Sequence, residues 1–327
     1  MSILMLRGAY HGSMTRGTLT RGRLAEHPLW AAALETPGLD GRLVLPVVVS
    51  DEVADRERIE GTGGLERLSV TEVVRTARSA SAAGLAGLLL FGATDRKDGR
   101  AFIASERDHI VVRAIHALKA ALPDFAVATD VCVCAYTDHG QCVLFAQGAA
   151  DVSGTLDRLG EIAVAQADAG ADLIIPSGML DGTVAAVRAA LGRAHEALPV
   201  AAMAKLESSL YGMHRVLVGA VPVRERAVPL LAADDPFAPR ARVLRDLAAG
   251  ADATVVKPGA AALDIVALLA EATDRPVISF HTADEHAAFV AAADDLDATA
   301  AERETLAAAR RAGAGLVISY GARAVTD

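Results

Sequence analysis

Lysine is nearly absent from this 327-residue chain: of its 32 basic residues only Lys97, Lys119, Lys205 and Lys257 are not arginine. Where arginine supplies positive charge everywhere else, each remaining lysine calls for an explanation. Cysteine is equally scarce. Cys132, Cys134 and Cys142 are an odd number packed into eleven residues, which argues against a disulfide framework and leaves metal or thiol chemistry. Long apolar runs are missing as well. None approaches the roughly 18 residues of a membrane span, and the apolar stretch at the start is too short for a signal peptide, so a cytoplasmic protein without a membrane partner is expected. Net charge is −9 and the arginines are scattered, which disfavours a nucleic-acid partner and favours a small-molecule one.

What is present is apolar material in short pieces. Hydrophobic residues make up 52% of the chain against 22% charged, enough for a core and incompatible with intrinsic disorder. Eight apolar runs, at 43–49, 86–91, 125–131, 172–176, 199–205, 253–258, 276–281 and 315–320, read as strands. Alanine-rich amphipathic stretches lie between them, as at 155–170, 182–195 and 299–313, with AGAD or AGAG tails that place glycine at helix ends. Near-continuous apolar strands alternating with helices imply an α/β fold with a covered parallel sheet. Eight of them favour a (β/α)₈ TIM barrel, with an open doubly wound sheet as the alternative. No linker divides the chain. Residues 1–40 are expected to be an N-terminal arm and 41–327 one catalytic barrel. The arm carries Leu24, Pro28, Leu29, Trp30 and Leu34, an apolar patch expected to pack on a neighbouring subunit.

Lys205 closes the fifth apolar run and Lys257 ends the sixth but for one proline, so a barrel brings both to one mouth. A buried ammonium loses hydration and a second cation lowers its pKa further, leaving free amine to attack a carbonyl and form a Schiff base. The plain alternative is that strand-end lysines reach solvent and form salt bridges. The run DVCVCAYTDHGQC places thiols two and eight residues apart. Three thiolates suit an open, catalytic zinc site; three reduced cysteines in an ordinary loop is the alternative, and His139 is read as a hydrogen-bond partner. Two long connections, 132–154 and 206–237, begin beside these residues.

Taken together, DVCVCAYTDHGQC, AAMAK followed by LYGMHR, and VVKPGAAALDIV resemble the porphobilinogen synthase (5-aminolevulinate dehydratase) family. LVLPVVVSDE, LFG before KDGRA, PSGMLDG and RRAGAGLVISY extend the likeness over residues 20–322. The resemblance implies a hydro-lyase on a (β/α)₈ barrel that joins two 5-aminolevulinate molecules into porphobilinogen, losing two waters. It implies Schiff bases at Lys205 and Lys257, zinc on Cys132, Cys134 and Cys142, and Asp130 beside the metal. Arg215 and Arg226 match the arginines that hold one carboxylate, and Tyr320 a tyrosine that contacts the other; Tyr211 and Ser177 fall at further substrate-contacting positions. A homo-oligomer is implied, an octamer favoured over a hexamer or dimer.

The departures from the family pattern cluster near the chemistry. Where Ser-Asp-Met-Met-Asp-Gly-Arg is usual, this chain has Gly178 for the first aspartate and Thr183 for the arginine. A tyrosine becomes Ala262, a glutamine Leu230, and a serine Ala283 or, displaced, Thr282. Arg242 falls where an allosteric magnesium would need an acid. Three functions fit: the family reaction, the same Schiff-base and zinc chemistry on another amino ketone or keto acid, or an inactive barrel kept for assembly or regulation.

Overall fold

The computed structural model describes residues 22–294 and 296–326. Eight parallel strands form the centre: β1 (Leu43–Ser50), β2 (Gly87–Ala93), β3 (Ala126–Val131), β4 (Leu173–Pro176), β5 (Ala201–Lys205), β6 (Ala253–Lys257), β7 (Val277–His281) and β8 (Leu316–Ser319). They match the eight apolar runs to within about two residues at either end. Hydrogen bonding follows the order β4–β3–β2–β1–β8–β7–β6–β5, and a bridge between Ile174 and Val200 joins the two ends. The circuit is therefore a (β/α)₈ barrel, and the open sheet is excluded. Nearly every strand residue is buried, as continuous apolar strands covered on both sides require.

The glycine tails do what their spacing suggests. Helices Val70–Ala82, Val152–Asp168, Ala238–Ala248 and Ala298–Arg311 each end in one alanine followed by a glycine with positive φ: Gly84, Gly170, Gly250 and Gly313. A left-handed residue there turns the chain back toward the barrel, and the next strand starts three residues later. The N-termini are capped in kind: Ser69, Asp151 and Asp297 accept the amides of Glu72, Gly154 and Ala300.

At the opposite, N-terminal end of the barrel the two AGAD aspartates hold strand starts in place. Asp172 accepts the amide of Val127 at 2.8 Å and Asp252 that of Val200 at 3.0 Å. Lys119 pairs with Asp172 at 2.7 Å, which accounts for a third of the four lysines. Helices Gly22–Glu26 and Pro28–Glu35 close this end. Trp30 and Leu24 are fully buried against their own barrel, and the indole N–H donates to the Asp172 carbonyl at 3.0 Å. That corrects the expectation that Trp30 is left over for a neighbouring subunit: its apolar face is already used within one chain. Residues 1–21 of the expected arm lie outside the described residues. Among the described residues no helix is long and apolar enough to cross a membrane.

Candidate active site

The C-terminal ends of the strands surround a cavity to which the two long connections contribute. Lys205 and Lys257 occupy the last positions of β5 and β6 and are direct register partners in the parallel ladder. Side chains alternate along a strand, so in-register neighbours point the same way, and both ammonium groups line the cavity. The Lys257 Nζ lies 3.8 Å from the centre of the Phe280 ring, and Tyr211 offers its ring to both lysines, 4.6 Å from Lys205 and 5.7 Å from Lys257. Burial, with the Lys205 charge second, pulls Lys257 down to about 7 against the opposing pull of Asp130, Glu285 and Asp284. Lys205 is lowered too, by burial and by Arg215 and Arg226. Of the two, Lys257 is the one drawn into the range where free amine is populated near neutrality.

Asp130, near the end of β3, and Ser177, just past β4, face this space. Burial raises the Asp130 carboxyl to about 6, while a Ser177 hydrogen bond and the two lysines hold it back. A carboxyl in that range can carry a proton in either direction near neutrality.

The cysteines close one side. The Cys132 and Cys134 sulfurs are 3.2 Å apart and all three lie within 4.8 Å of one another. Two thiolates on one tetrahedral zinc stand about 3.8 Å apart, so the cluster is already near the size of a metal site. Hydrogen bonds from Cys132 and Cys134, then the charges of Lys205 and Arg215, hold the Cys142 thiol well below its ordinary value. His139 is not in it. Its Nδ1 accepts the Gln141 amide at 3.1 Å, in line with the hydrogen-bonding role expected of it. Gln141 in turn clasps the second long connection: its side chain donates to the Arg224 and Glu225 carbonyls and accepts the Ala227 amide.

The remaining expected residues divide into those that face the cavity and those that frame it. Arg215 lines it and also donates to the Ala220 carbonyl at 3.2 Å. Arg226 sits on the exposed part of the long connection, outside the cavity lining, close enough to act on Lys205 by its charge. The Tyr211 hydroxyl lies 2.7 and 3.0 Å from the carbonyls of Leu206 and Lys257, so it braces the ends of β5 and β6. Tyr320, buried, is hydrogen-bonded to His214 at 2.7 Å. His214 lines the cavity yet is not among the residues singled out from the sequence; it lies within LYGMHR, and only the fold brings it to Tyr320, 106 positions away.

The departures also have places. Gly178 faces Cys142, with the nearest side-chain atom 3.8 Å from where a Cβ would stand, so the missing acid leaves open space rather than a filled contact. The Thr183 hydroxyl donates to the Leu180 carbonyl and starts a helix. Thr282 is fully buried and is the N-cap of the helix after β7, in a capping box with Glu285, so its hydroxyl is occupied. Ala262 and Ala283 are fully buried. Arg242 is buried and bonded to Asp246, Asp181 and the Met179 and Leu180 carbonyls, tying its helix to the PSGMLDG turn.

Comparison with known proteins agrees with this geometry. The delta-aminolevulinic acid dehydratase family model matches residues 22–327. Delta-aminolevulinic acid dehydratase of Escherichia coli is 34% identical over 91% of this chain and 94% of its own. That of Synechococcus elongatus is 36% identical over 80% and 82%. The Toxoplasma gondii enzyme, solved in complex with its reaction product porphobilinogen, superposes with a TM-score of 0.85 at 27% identity, over 95% of this chain and 91% of that one. Dihydropteroate synthase of Stenotrophomonas maltophilia, at 16% identity and a TM-score of 0.50, shares the fold alone. With a matching profile along the whole barrel and relatives a third identical across nearly their full length, the chain belongs to the delta-aminolevulinic acid dehydratase family of hydro-lyases.

Proposed function

We propose that this protein condenses two 5-aminolevulinate molecules into porphobilinogen with loss of two waters. The observation that carries this is the register pair Lys205–Lys257, the first half-buried and the second buried, both opening on one cavity beside a three-thiol cluster. Each amine attacks the ketone of one substrate; the carbinolamine loses water and leaves an imine whose cationic form is an electron sink. Two such groups side by side hold two carbonyl substrates within bonding distance, which replaces a bimolecular encounter by a positioned one. Arg215, with Arg226 on the rim, supplies charge for one carboxylate. The family pattern assigns Tyr320 to the other. Asp130, steadied by Ser177, takes and returns the protons of imine formation and ring closure.

The donor set fits zinc: three soft sulfurs, with no fourth protein ligand in the cluster among the described residues. Bound there, zinc supplies a Lewis acid able to orient an amine or hydroxyl of the neighbouring substrate. The protein is also proposed to assemble as a closed homo-oligomer, an octamer favoured, supported by apolar residues left exposed on the long connection and its following turn, Val223 at 68% and Phe237 at 78%. A stable monomer in light scattering removes that part of the proposal.

A second reading has one observation in its favour. The space beside Cys142 at Gly178 is where the family pattern carries an acid, which fits the same chemistry on a different amino ketone or keto acid. One experiment separates the readings: incubation with 5-aminolevulinate, borohydride reduction, a colorimetric pyrrole assay and metal analysis of the purified protein. Pyrrole formation with about one zinc per site supports the first reading. Adducts at Lys205 or Lys257 without pyrrole support the second, and neither adduct nor pyrrole refutes both.

A further inference from the structure

His214 is the one imidazole that lines the cavity, and nothing in the chemistry above uses it. It projects from the short helix Gly212–Leu217, whose first amides, of Gly212 and Met213, are held by the Asp284 carboxylate at 3.2 Å. Its ring packs edge-on against Phe91, centroids 4.5 Å apart, and Phe91 in turn neighbours Phe280, over which the Lys257 ammonium lies. Both the imidazole and Lys257 thus stand on the same aromatic wall. Burial, then the charges of Lys257, Lys205 and Arg215, hold His214 well below its usual value, with only Cys142 opposing, so the ring is neutral at neutral pH.

A neutral imidazole has one donor and one acceptor, and its partner decides which nitrogen is which. The Tyr320 hydroxyl lies 2.7 Å from Nδ1 and has no other acceptor among the described residues; burial also raises its pKa, so it keeps its proton. Tyr320 therefore donates, Nδ1 accepts, and the ring proton is on Nε2, which has no partner among the described residues. That makes His214 a donor toward the cavity rather than a base. Lining charge is unevenly spread. The cations are the two lysines and Arg215, and Arg215 acts on Lys205, so the Lys257 side lacks a guanidinium in the lining.

We propose that His214 is a specificity-determining residue, its Nε2–H donating a hydrogen bond to the carboxylate of the substrate held on Lys257, with Tyr320 fixing the tautomer. The inference rests on the Schiff-base reading and deepens it by adding one residue of this chain, His214, to the carboxylate end of the substrate at Lys257. A neutral donor suits this place because one more cation beside the two lysines and Arg215 would disfavour the iminium ion.

The test compares 4-oxopentanoate, the skeleton of 5-aminolevulinate without its amine, with 2-pentanone, in which a methyl replaces the carboxylate. Each ketone carbon is attacked by Nζ, water leaves, and borohydride delivers hydride to the imine carbon, giving a secondary amine that peptide mass mapping assigns to Lys257. His214→Phe keeps the ring packing on Phe91 and removes the donor. It should weaken half-maximal trapping of 4-oxopentanoate about 10- to 100-fold, the worth of a hydrogen bond to a charged acceptor, while 2-pentanone changes less than about twofold. His214→Gln, which returns an N–H near the same place, should recover most of the preference. Equal losses for both ketones would show a structural role and overturn the proposal, as would unchanged trapping of both. If wild-type protein yields no adduct at either lysine with either ketone, the Schiff-base reading falls and this proposal with it; adducts without His214-dependent preference overturn this proposal alone.

Discussion

Replacing Lys257 by methionine should make the protein more stable, and by an amount that shrinks as pH rises. The lysine is 5% exposed and titrates near 7, against 10.5 for a lysine in water. Between these values the unfolded chain binds a proton that the folded chain releases, so folding is opposed at low pH and the opposition fades upward. Integrating the linkage relation gives a penalty of about 5 kcal/mol well below pH 7, about 4 kcal/mol at pH 7 and about 1 kcal/mol at pH 10. Methionine has a similar length and no charge to bury, so it escapes the penalty. The measurement is urea unfolding of wild type and Lys257→Met at half-unit steps from pH 7 to 10, under reducing conditions, with a common m-value. Metal binding by the thiols also depends on pH, but both proteins share it and the difference cancels it. The stability difference should fall by about 3 kcal/mol over this range. A difference that is flat, or that grows with pH, would mean that Lys257 is not a buried amine.

The same pKa governs chemistry. Trapping of a keto acid at Lys257 should be half-maximal near pH 7, where half the amine is free, and fall about tenfold per pH unit below 6; a midpoint near 10 contradicts the burial argument. Cys→Ser at 132, 134 or 142 should each abolish stoichiometric zinc while leaving the far-ultraviolet circular dichroism unchanged, and zinc retained by two or more of these variants rules out the three-thiol site. Trp30→Ala should destabilise by about 3–5 kcal/mol in urea, since a fully buried indole and its hydrogen bond are lost; less than about 1 kcal/mol would return Trp30 to the role of an interface residue. Added magnesium should not stimulate turnover, because Arg242, held by four hydrogen bonds, stands where the family pattern would need an acid, and a several-fold activation would refute that.

The barrel and the lysine pair were legible because local patterns specify them. Eight apolar runs, alanine–glycine helix ends and two strand-terminal lysines need no partner elsewhere in the chain to be recognised. The cysteine cluster was legible for the same reason, being confined to eleven residues. His214 was not, because its meaning depends on Tyr320, just past β8, and Phe91 in β2, both distant in the chain. The apolar patch at Trp30 is visible in the sequence but its partner is not: hydrophobicity shows that a face must be covered, not whether the cover belongs to the same chain. Thr282 shows the converse, a hydroxyl that looks available in sequence but is committed to a helix start.

The ladder between β5 and β6 also limits how this protein can change. Because Lys205 and Lys257 are register partners, their meeting depends on the phase of two strands and on no loop. Loops around the mouth can lengthen, shorten or change residue by residue without parting the two amines. Deleting one residue inside β6 is different: with a side-chain period of two, it would turn Lys257 toward the surrounding helices and bring a valine or proline to the cavity. Sequence drift at the rim is thus compatible with new substrates, whereas insertions and deletions within these ten strand residues are not.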